Sequence, residues 1–158
     1  RDIQHPQGVR QGWRIQAEQA IALVVLMRAG LYVGEGFREV FRSAPVLHVS
    51  VSRGKGLAAP DLEHIARLGV RRCVLIDSVV NTGGSVEPVL HQLTERSVHT
   101  FVAALVAPHT TATRLAEAWP RTRFLFARLS DNQYVGVGAT DTGNRLFGTI
   151  PRGEGEVS

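Results

Sequence analysis

One stretch of this chain places an acid, hydroxyls and glycines in an order suited to binding a phosphorylated sugar. The apolar run 74–76 ends in Asp77, and soon afterwards comes a loop, here called the glycine loop, made of Asn81, Thr82, Gly83, Gly84 and Ser85. Paired glycines allow backbone conformations in which successive N–H groups converge on an anion. The Thr82 and Ser85 hydroxyls add donors, and a helix beginning near Ser85 adds its positive dipole end. The pattern predicts a phosphate cradle, with Asp77 accepting hydrogen bonds from sugar hydroxyls.

The glycine loop also has a plainer interpretation, as a strand-to-helix turn that Asn81 starts and in which Ser85 caps the helix. Two better-known phosphate motifs are excluded. No Gly-Lys-Ser/Thr follows the glycines, and the Gly-x-Gly beginning at Gly136 has Asp141 where a third glycine belongs. The histidines are dispersed and no Gly-x-Ser-x-Gly occurs, which leaves metal-site and hydrolase functions without support.

The charge of the chain favours small anionic ligands over nucleic acid. The formal net charge is +4, and all but one of the 18 Lys and Arg residues are arginines. These arginines are scattered among acids and apolar residues, whereas nucleic-acid binding needs clustered cations and stacking aromatics. We therefore predict no nucleic-acid partner.

The apolar runs and the single cysteine indicate a cytoplasmic protein without a membrane partner. Cys73 lies inside a strand pattern, which predicts a core residue rather than a nucleophile or half of a disulfide. Residues 21–27 form an apolar run of core-strand length, far short of a membrane span.

Apolar runs alternate with helical patterns along the chain, which predicts an α/β fold with a parallel sheet. The predicted strands are residues 21–27, 46–51, 72–77, 98–106 and 123–127, and the predicted helices are 31–41, 60–68, 85–93 and 110–119. The polar loop 52–56, between the strand 46–51 and the helix 60–68, has the composition of a lid. We predict an amino-terminal arm at 1–20, one domain at 21–150, with a glycine-rich tail at 136–148, and a flexible end at 151–158.

Three stretches resemble the uracil phosphoribosyltransferases, a family of type I phosphoribosyltransferases. Residues 76–85 resemble the family's phosphoribosyl pyrophosphate loop, 26–31 its Leu-Arg-Ala-Gly-Leu segment, and 134–149 its uracil-binding tail, with the ending Arg-Leu-Phe-Gly-Thr. The stretches lie in family order, and the similarity covers about residues 21–149. The resemblance implies the type I phosphoribosyltransferase fold, a twisted, mostly parallel sheet with helices on both faces and a carboxyl-terminal base-binding tail.

The resemblance also implies roles for matching residues. Those implied to be catalytic are Arg28, Asp77 and Asp141. Those implied to bind phosphoribosyl pyrophosphate are Arg28, Ala29, Gly30, Arg53, Asp77, Ser78, Asn81, Thr82, Gly83, Gly84 and Ser85. Those implied to bind the base are Val135, Thr140, Asp141 and Thr142. Mg²⁺ is the implied cofactor, bound through the substrate near Asp141.

The implied reaction joins uracil or a related pyrimidine to phosphoribosyl pyrophosphate, giving the nucleoside monophosphate and pyrophosphate. Positioning and electrostatic stabilisation of the leaving group carry such a displacement, and no strong general base is evident. A homodimer or larger homo-oligomer is the assembly that the resemblance implies.

Four positions depart from the family pattern, and they keep a second function open. Prolines are replaced by Ser78 and Val137, a glycine by Thr140 and an acid by Asn144. A Cβ at 140 changes the backbone conformations open to the base-binding turn. The alternative is a catalytically weak or inactive relative that binds phosphoribosyl pyrophosphate or a nucleotide as a regulatory or partner subunit.

Overall fold

The computed structural model describes residues 2–12, 20–51, 54–133 and 141–150. In chain order its elements are β1 (Asp2–His5), β2 (Gly8–Gln11), β3 (Ile21–Leu26), α1 (Leu31–Val40), β4 (Val46–Val49), α2 (Ala59–Arg67), β5 (Arg72–Ile76), α3 (Val86–Glu95), β6 (His99–Pro108), α4 (His109–Ala118), β7 (Arg123–Ser130) and α5 (Thr142–Leu146).

Five of these strands form one parallel sheet in the order β4-β3-β5-β6-β7. The central strand β3 is almost wholly buried, as expected for an apolar run covered on both faces. From β3 the chain crosses to β4 on one side and then returns to β5 on the other. The strand order therefore reverses between β3 and β5, and open α/β sheets bind ligands at the carboxyl ends of such strands.

Helices cover both faces of the sheet. One face packs against α2, α3 and α4 through an apolar cluster that includes Ile65, Leu75, Leu90, Leu93 and Leu115. The other packs against α1, where the partly buried Phe37 and Phe41 meet Leu23, Val25 and Ile76. The predicted α/β architecture, parallel with helices on both faces, is confirmed.

Element ends differ from the predicted ones by a few residues. Strand β3 stops at Leu26 because the Leu26 carbonyl accepts the Gly30 N–H at 2.8 Å and closes a turn. Strand β7 runs on to Ser130, beyond the predicted end at 127, because its pairing with β6 continues through Pro108↔Ser130. The predicted glycine-rich tail contains the short helix α5.

Residues 2–11 of the predicted arm form an antiparallel hairpin of β1 and β2. Gly8 has φ +106°, a conformation that favours glycine at the tight connection. Both strands are short and rich in polar residues, so their sequence carries no alternation strong enough to predict them.

The core residue predicted at Cys73 is confirmed. Its thiol is buried in β5, and burial raises its pKa to about 12, which keeps it protonated and unreactive. None of the helices in the described part of the chain is long and apolar enough to cross a membrane.

Candidate active site

The predicted site residues meet at the carboxyl ends of β3 and β5, where the strand order reverses. A cavity of about 280 Å³ opens there between the turn after β3, the end of β5 and the first turn of α5. Its lining residues are Leu26, Met27, Arg28, Ala29, Val51, Asp77, Val79, Ser85, Asp141, Thr142 and Gly143. A smaller cavity of about 120 Å³ lies beside it, lined by Asp77, Val79, Val80, the five residues of the glycine loop and Val86.

Asp77 lies on the wall shared by both cavities. Its backbone N–H donates to the Ala103 carbonyl at 3.0 Å, which fixes it to β6, and its Oδ1 accepts the Ser78 N–H at 2.7 Å. Burial raises the pKa of the Asp77 carboxyl to about 6, against the opposing effect of hydrogen bonds from the Ser78 and Val79 backbone. The carboxyl group therefore changes its charge just below neutral pH.

Gly30 brings the turn after β3 against the end of β5. A Cβ at this position would lie 2.6 Å from the Ile76 carbonyl oxygen and 2.7 Å from that of Leu26, both backbone atoms. Only glycine permits this approach, which sets Arg28 and Asp77 around one cavity. The peptide bond between Met27 and Arg28 is cis.

Arg28 joins the turn after β3 to the carboxyl-terminal segment 141–149. Its Nη2 donates to Asn144 Oδ1 at 2.6 Å, and its guanidinium lies 5.8 Å from the centre of the Phe147 ring. The Thr149 hydroxyl donates to the same Asn144 oxygen at 2.7 Å, and Phe147 stacks on Tyr32 of α1. These contacts hold the segment over the cavity.

Asp141 begins α5 at the edge of the same cavity. Its Oδ1 accepts the Asn144 N–H at 2.7 Å, so the carboxylate caps the helix while it also lines the cavity.

The glycine loop turns sharply into α3. Gly83 has φ +78°, and its carbonyl accepts the N–H groups of Val86 and Glu87, both at 2.9 Å. Ser85 is the N-cap residue, yet its side chain makes no capping hydrogen bond. The plain-turn interpretation, in which the Ser85 hydroxyl caps the helix, is therefore wrong on this point.

The loop predicted as a lid approaches the glycine loop through its described half. The Gly54 N–H donates to the Gly84 carbonyl at 3.0 Å. Just beyond, Gln92 of α3 exchanges two hydrogen bonds with the Leu57 backbone, at 2.8 and 3.2 Å. Arg53, the predicted cation of this loop, lies outside the described residues.

The structure brings together most of the predicted residues, with some exceptions. Ser78 is buried, and within the described structure its hydroxyl has no hydrogen-bond partner, so it contributes its backbone N–H to Asp77 rather than a side chain to the cavity. Val135 and Thr140, predicted to bind the base, lie outside the described residues.

A third cavity, of about 610 Å³, adjoins the first and shares Val79 and Thr142 with it. Its remaining lining residues are Asn81, Val106, Pro108, Arg128, Ser130, Asn132, Arg145 and Leu146. Sequence reasoning did not identify the residues contributed by β6 and β7. They carry no motif and reach the site only because the parallel sheet aligns the ends of its strands.

Two carboxylates at the first cavity offer oxygen ligands for a cation. The described residues contain no group of three or more His, Cys, Asp or Glu that forms a metal site by itself. Asp77 and Asp141 both line the cavity, however, and Mg²⁺ is commonly held by one or two carboxylates together with substrate phosphates. The donor set fits a cation that arrives with a polyphosphate.

Comparison with known proteins gives consistent matches. A family model described as uracil phosphoribosyltransferase matches residues 1–149. The uracil phosphoribosyltransferase of Agathobacter rectalis is 32% identical over 139 residues, covering 82% of this chain and 66% of the relative. That of Thermus thermophilus is 32% identical over 145 residues, covering 86% of this chain and 69% of the relative. The chain therefore spans about two thirds of the length of these relatives.

Solved structures agree on the fold. The AQ2163 protein from Aquifex aeolicus superimposes with a TM-score of 0.64 at 20% identity, covering 95% of this chain and 75% of that one. The TT1426 protein from Thermus thermophilus gives a TM-score of 0.52 at 18% identity, covering 77% of this chain and 79% of that one. At such identities the likeness concerns the fold alone.

Proposed function

The chain belongs to the uracil phosphoribosyltransferase family, and from this premise we propose that it condenses uracil or a related pyrimidine with phosphoribosyl pyrophosphate, giving UMP or its analogue and pyrophosphate. The observation that carries the proposal is the convergence of Arg28, Asp77, Asp141 and the glycine loop on two adjoining cavities. The chain spans about two thirds of the length of the Agathobacter rectalis relative, so the activity of the whole protein is itself part of what we propose.

The glycine loop would hold the 5-phosphate of the sugar. The small cavity it lines accommodates a phosphate group, and the amino-terminal end of α3 points its dipole at the same place. Asp77, on the wall between the cavities, would accept hydrogen bonds from the ribose hydroxyls once ionised. Fixing both ends of the sugar orients its anomeric carbon toward the attacking base nitrogen.

Arg28 and the backbone of Ala29 would bind the pyrophosphate. The closest partner of the Arg28 guanidinium is the amide oxygen of Asn144, which carries no formal charge. The positive charge of Arg28 is therefore not neutralised by this partner, and it can stabilise the negative charge that develops on the leaving pyrophosphate. Gly30 and Ser78 support this arrangement through their backbones. Arg53 on the lid is proposed to add a second cation.

Mg²⁺ fits the site as a cofactor that enters with the substrate. When bound, it would neutralise charge on the departing pyrophosphate. Asp141 and Asp77, which both line the 280 Å³ cavity, would ligate it or its water molecules.

The base would lie against Thr142 and Val79, which line both the 280 Å³ and the 610 Å³ cavities. Val79 offers an apolar wall to the ring, and backbone groups of the tail, at Val135, Thr140 and Thr142 by family analogy, would match its donors and acceptors. An analogue lacking one such group would leave a buried partner unpaired.

We also propose a homo-oligomer, supported by an apolar strip on the sheet. Phe101, Leu105 and Leu125 are exposed to 37, 49 and 64%. They share the α1 face of β6 and β7, since Ala103, which packs in the α1-side cluster, lies two residues from Phe101 and from Leu105 and pairs with Leu125. Large exposed apolar patches commonly mark protein interfaces. A cytoplasmic location and the absence of nucleic-acid binding stay predictions.

A turnover assay tests the proposed reaction. The protein is mixed with phosphoribosyl pyrophosphate, Mg²⁺ and one of uracil, cytosine, adenine or hypoxanthine, and pyrophosphate and nucleotide are measured. We expect release with uracil and little or none with the purines. Binding of phosphoribosyl pyrophosphate without turnover of any base would contradict the enzyme and favour the binding subunit, an alternative that the matched relatives do not support.

A further inference from the structure

Helix α4 contacts the glycine loop through two side chains that have no role in the proposed reaction. The Thr111 hydroxyl, buried in the structure, donates to the Asn81 carbonyl at 2.6 Å. One turn later, Arg114 Nη2 donates to the Thr82 carbonyl at 2.8 Å. Two consecutive carbonyls of the loop are thus bound by one helix.

Glu87, on the first turn of α3, holds Arg114 in place. Arg114 Nη1 lies 2.8 Å from Glu87 Oε1, and Nη2 lies 3.2 Å from Glu87 Oε2. This two-point pairing fixes the plane of the guanidinium, and the same Nη2 atom reaches Thr82. Thr111, Arg114 and Glu87 therefore join α4, the loop and α3.

The direction of these carbonyls decides where the loop's donors point. Among the described residues the one cis peptide bond is Met27–Arg28, so the peptides 81–82 and 82–83 are trans. In a trans peptide the N–H points opposite to the C=O. Because the Asn81 and Thr82 carbonyls point at α4, the N–H groups of Thr82 and Gly83 point to the other side of the loop.

We propose that Thr111, Arg114 and Glu87 form a brace that keeps the peptides of the glycine loop oriented for the 5-phosphate of the substrate. The proposal rests on the proposed function, because it assigns the phosphate to this loop. The three are positioning residues: Thr111 and Arg114 donate to the loop carbonyls, and Glu87 holds Arg114. A carbonyl released from the brace and rotated into the small cavity would present its negative end to the anion.

Gly83 provides a second observation for the brace. Besides its positive φ, a Cβ on Gly83 would lie 3.0 Å from Arg114 Nη2 and 3.2 Å from Glu87 Oε2. The loop is therefore packed directly against the ion pair. Because Glu87 neutralises the charge of Arg114, the brace acts by geometry more than by attraction of the phosphate.

Steady-state kinetics of four variants test the brace. Arg114→Met and Thr111→Val remove one donor each, Thr111→Ser keeps the hydroxyl, and Arg67→Met breaks an exposed ion pair with Glu63 on α2 as a control. We expect Arg114→Met and Thr111→Val to raise the KM for phosphoribosyl pyrophosphate about tenfold, as for loss of one hydrogen bond to a carbonyl left unsatisfied. The kcat should change less, since the phosphate is bound alike in ground and transition states.

The remaining variants distinguish the brace from general destabilisation. Thr111→Ser should restore most of the affinity, Arg67→Met should match the wild type, and the KM for uracil should stay unchanged throughout. A wild-type KM for phosphoribosyl pyrophosphate in both Arg114→Met and Thr111→Val would overturn the proposal, as would an equal rise in the KM for uracil. If Arg114→Met does not fold, the nearly isosteric Thr111→Val decides.

A binding measurement separates failure of the brace from failure of the proposed function. Titration calorimetry with ribose 5-phosphate reports on the cradle without requiring turnover. Weaker binding by Arg114→Met in a protein that turns over no base would refute the enzyme but keep the brace. Unchanged binding of ribose 5-phosphate, or its absence in the wild type, would overturn the brace.

Discussion

Two opposing effects act on the charge of Asp77, the residue proposed to bind the ribose hydroxyls. Burial favours its neutral form, whereas the N–H groups of Ser78 and Val79 favour the carboxylate, and burial dominates. The Ser78 N–H is available only because this chain has serine where the family pattern has proline, which lacks that donor. Because burial brings the pKa of Asp77 to about 6, the charge of this carboxylate changes just below neutral pH.

Protein stability should reveal the titration of Asp77. The folded protein keeps a proton on Asp77 up to about pH 6, whereas the unfolded chain loses it near the ordinary value of 3.8. The resulting stabilisation is fully present below that lower pKa and is lost as the pH rises through about 6. We expect the free energy of unfolding of the wild type, relative to Asp77→Asn, to fall by about 2 kcal/mol between about pH 4 and about pH 7. Urea denaturation of both proteins measures it, and a constant difference would contradict the raised pKa.

Part of the candidate site was predictable from sequence, where its residues are close in the chain. Asp77 and residues 81–85 follow one strand, so their order alone indicates a cradle. The contact of Arg28 with Asn144 joins residues 116 positions apart, and no local spacing predicts it. Thr111 and Arg114 likewise carry no motif and reach the glycine loop only because α4 follows the neighbouring strand β6.

At the scale of elements, strong hydrophobic patterns predicted the strands of the sheet and its helices. Segments with weak hydrophobic patterns were not predicted as helices or strands. Strand β3 is a continuous apolar run, and its predicted end lies one residue beyond the observed one. The hairpin of β1 and β2 has mostly polar residues, and α5 is only 5 residues long, so neither has a measurable period. The order β4-β3-β5-β6-β7, which creates the site, depends on pairing between distant strands and cannot be read from periodicity.

Helix α1 offers a matched pair of glycines that tests its packing against β3. A Cβ on Gly34 would lie 2.7 Å from Val25 Cγ2 in the core, whereas one on Gly36 meets nothing within 4 Å. We expect Gly34→Ala to destabilise the protein by about 1–3 kcal/mol through overpacking. Gly36→Ala should stabilise it by about 0.5–1 kcal/mol, because alanine favours the helix. Urea denaturation gives both values, and a shift of the same sign in both variants would contradict the close packing.

For the molecule as a whole, the sheet carries two separate features, the strand reversal and the exposed apolar strip. The reversal gathers three loops around one cavity at the carboxyl edge of the sheet. The strip is the part of the α1 face of β6 and β7 that no helix among the described residues covers. A partner subunit on this face would bury the strip beside the strands that line the third cavity.

Substitution in the strip should change the oligomeric state. We expect Leu125→Asp, at a side chain 64% exposed, to convert an oligomer into monomers, because a charge buried in an apolar interface is strongly unfavourable. Ala116→Asp, exposed on α4 across the sheet, is the control and should leave the assembly intact. Sedimentation velocity distinguishes the species. A monomeric wild type, or an unchanged assembly in Leu125→Asp, would rule out this interface.

A crystal structure of the protein with phosphoribosyl pyrophosphate and Mg²⁺ tests the phosphate cradle most directly. The expected density has the 5-phosphate in the small cavity, within hydrogen-bond distance of N–H groups of residues 82–85, the ribose hydroxyls at Asp77 and the pyrophosphate beside Arg28. A 5-phosphate bound elsewhere, or loop N–H groups directed away from it, would contradict the assignment of this loop to the sugar phosphate.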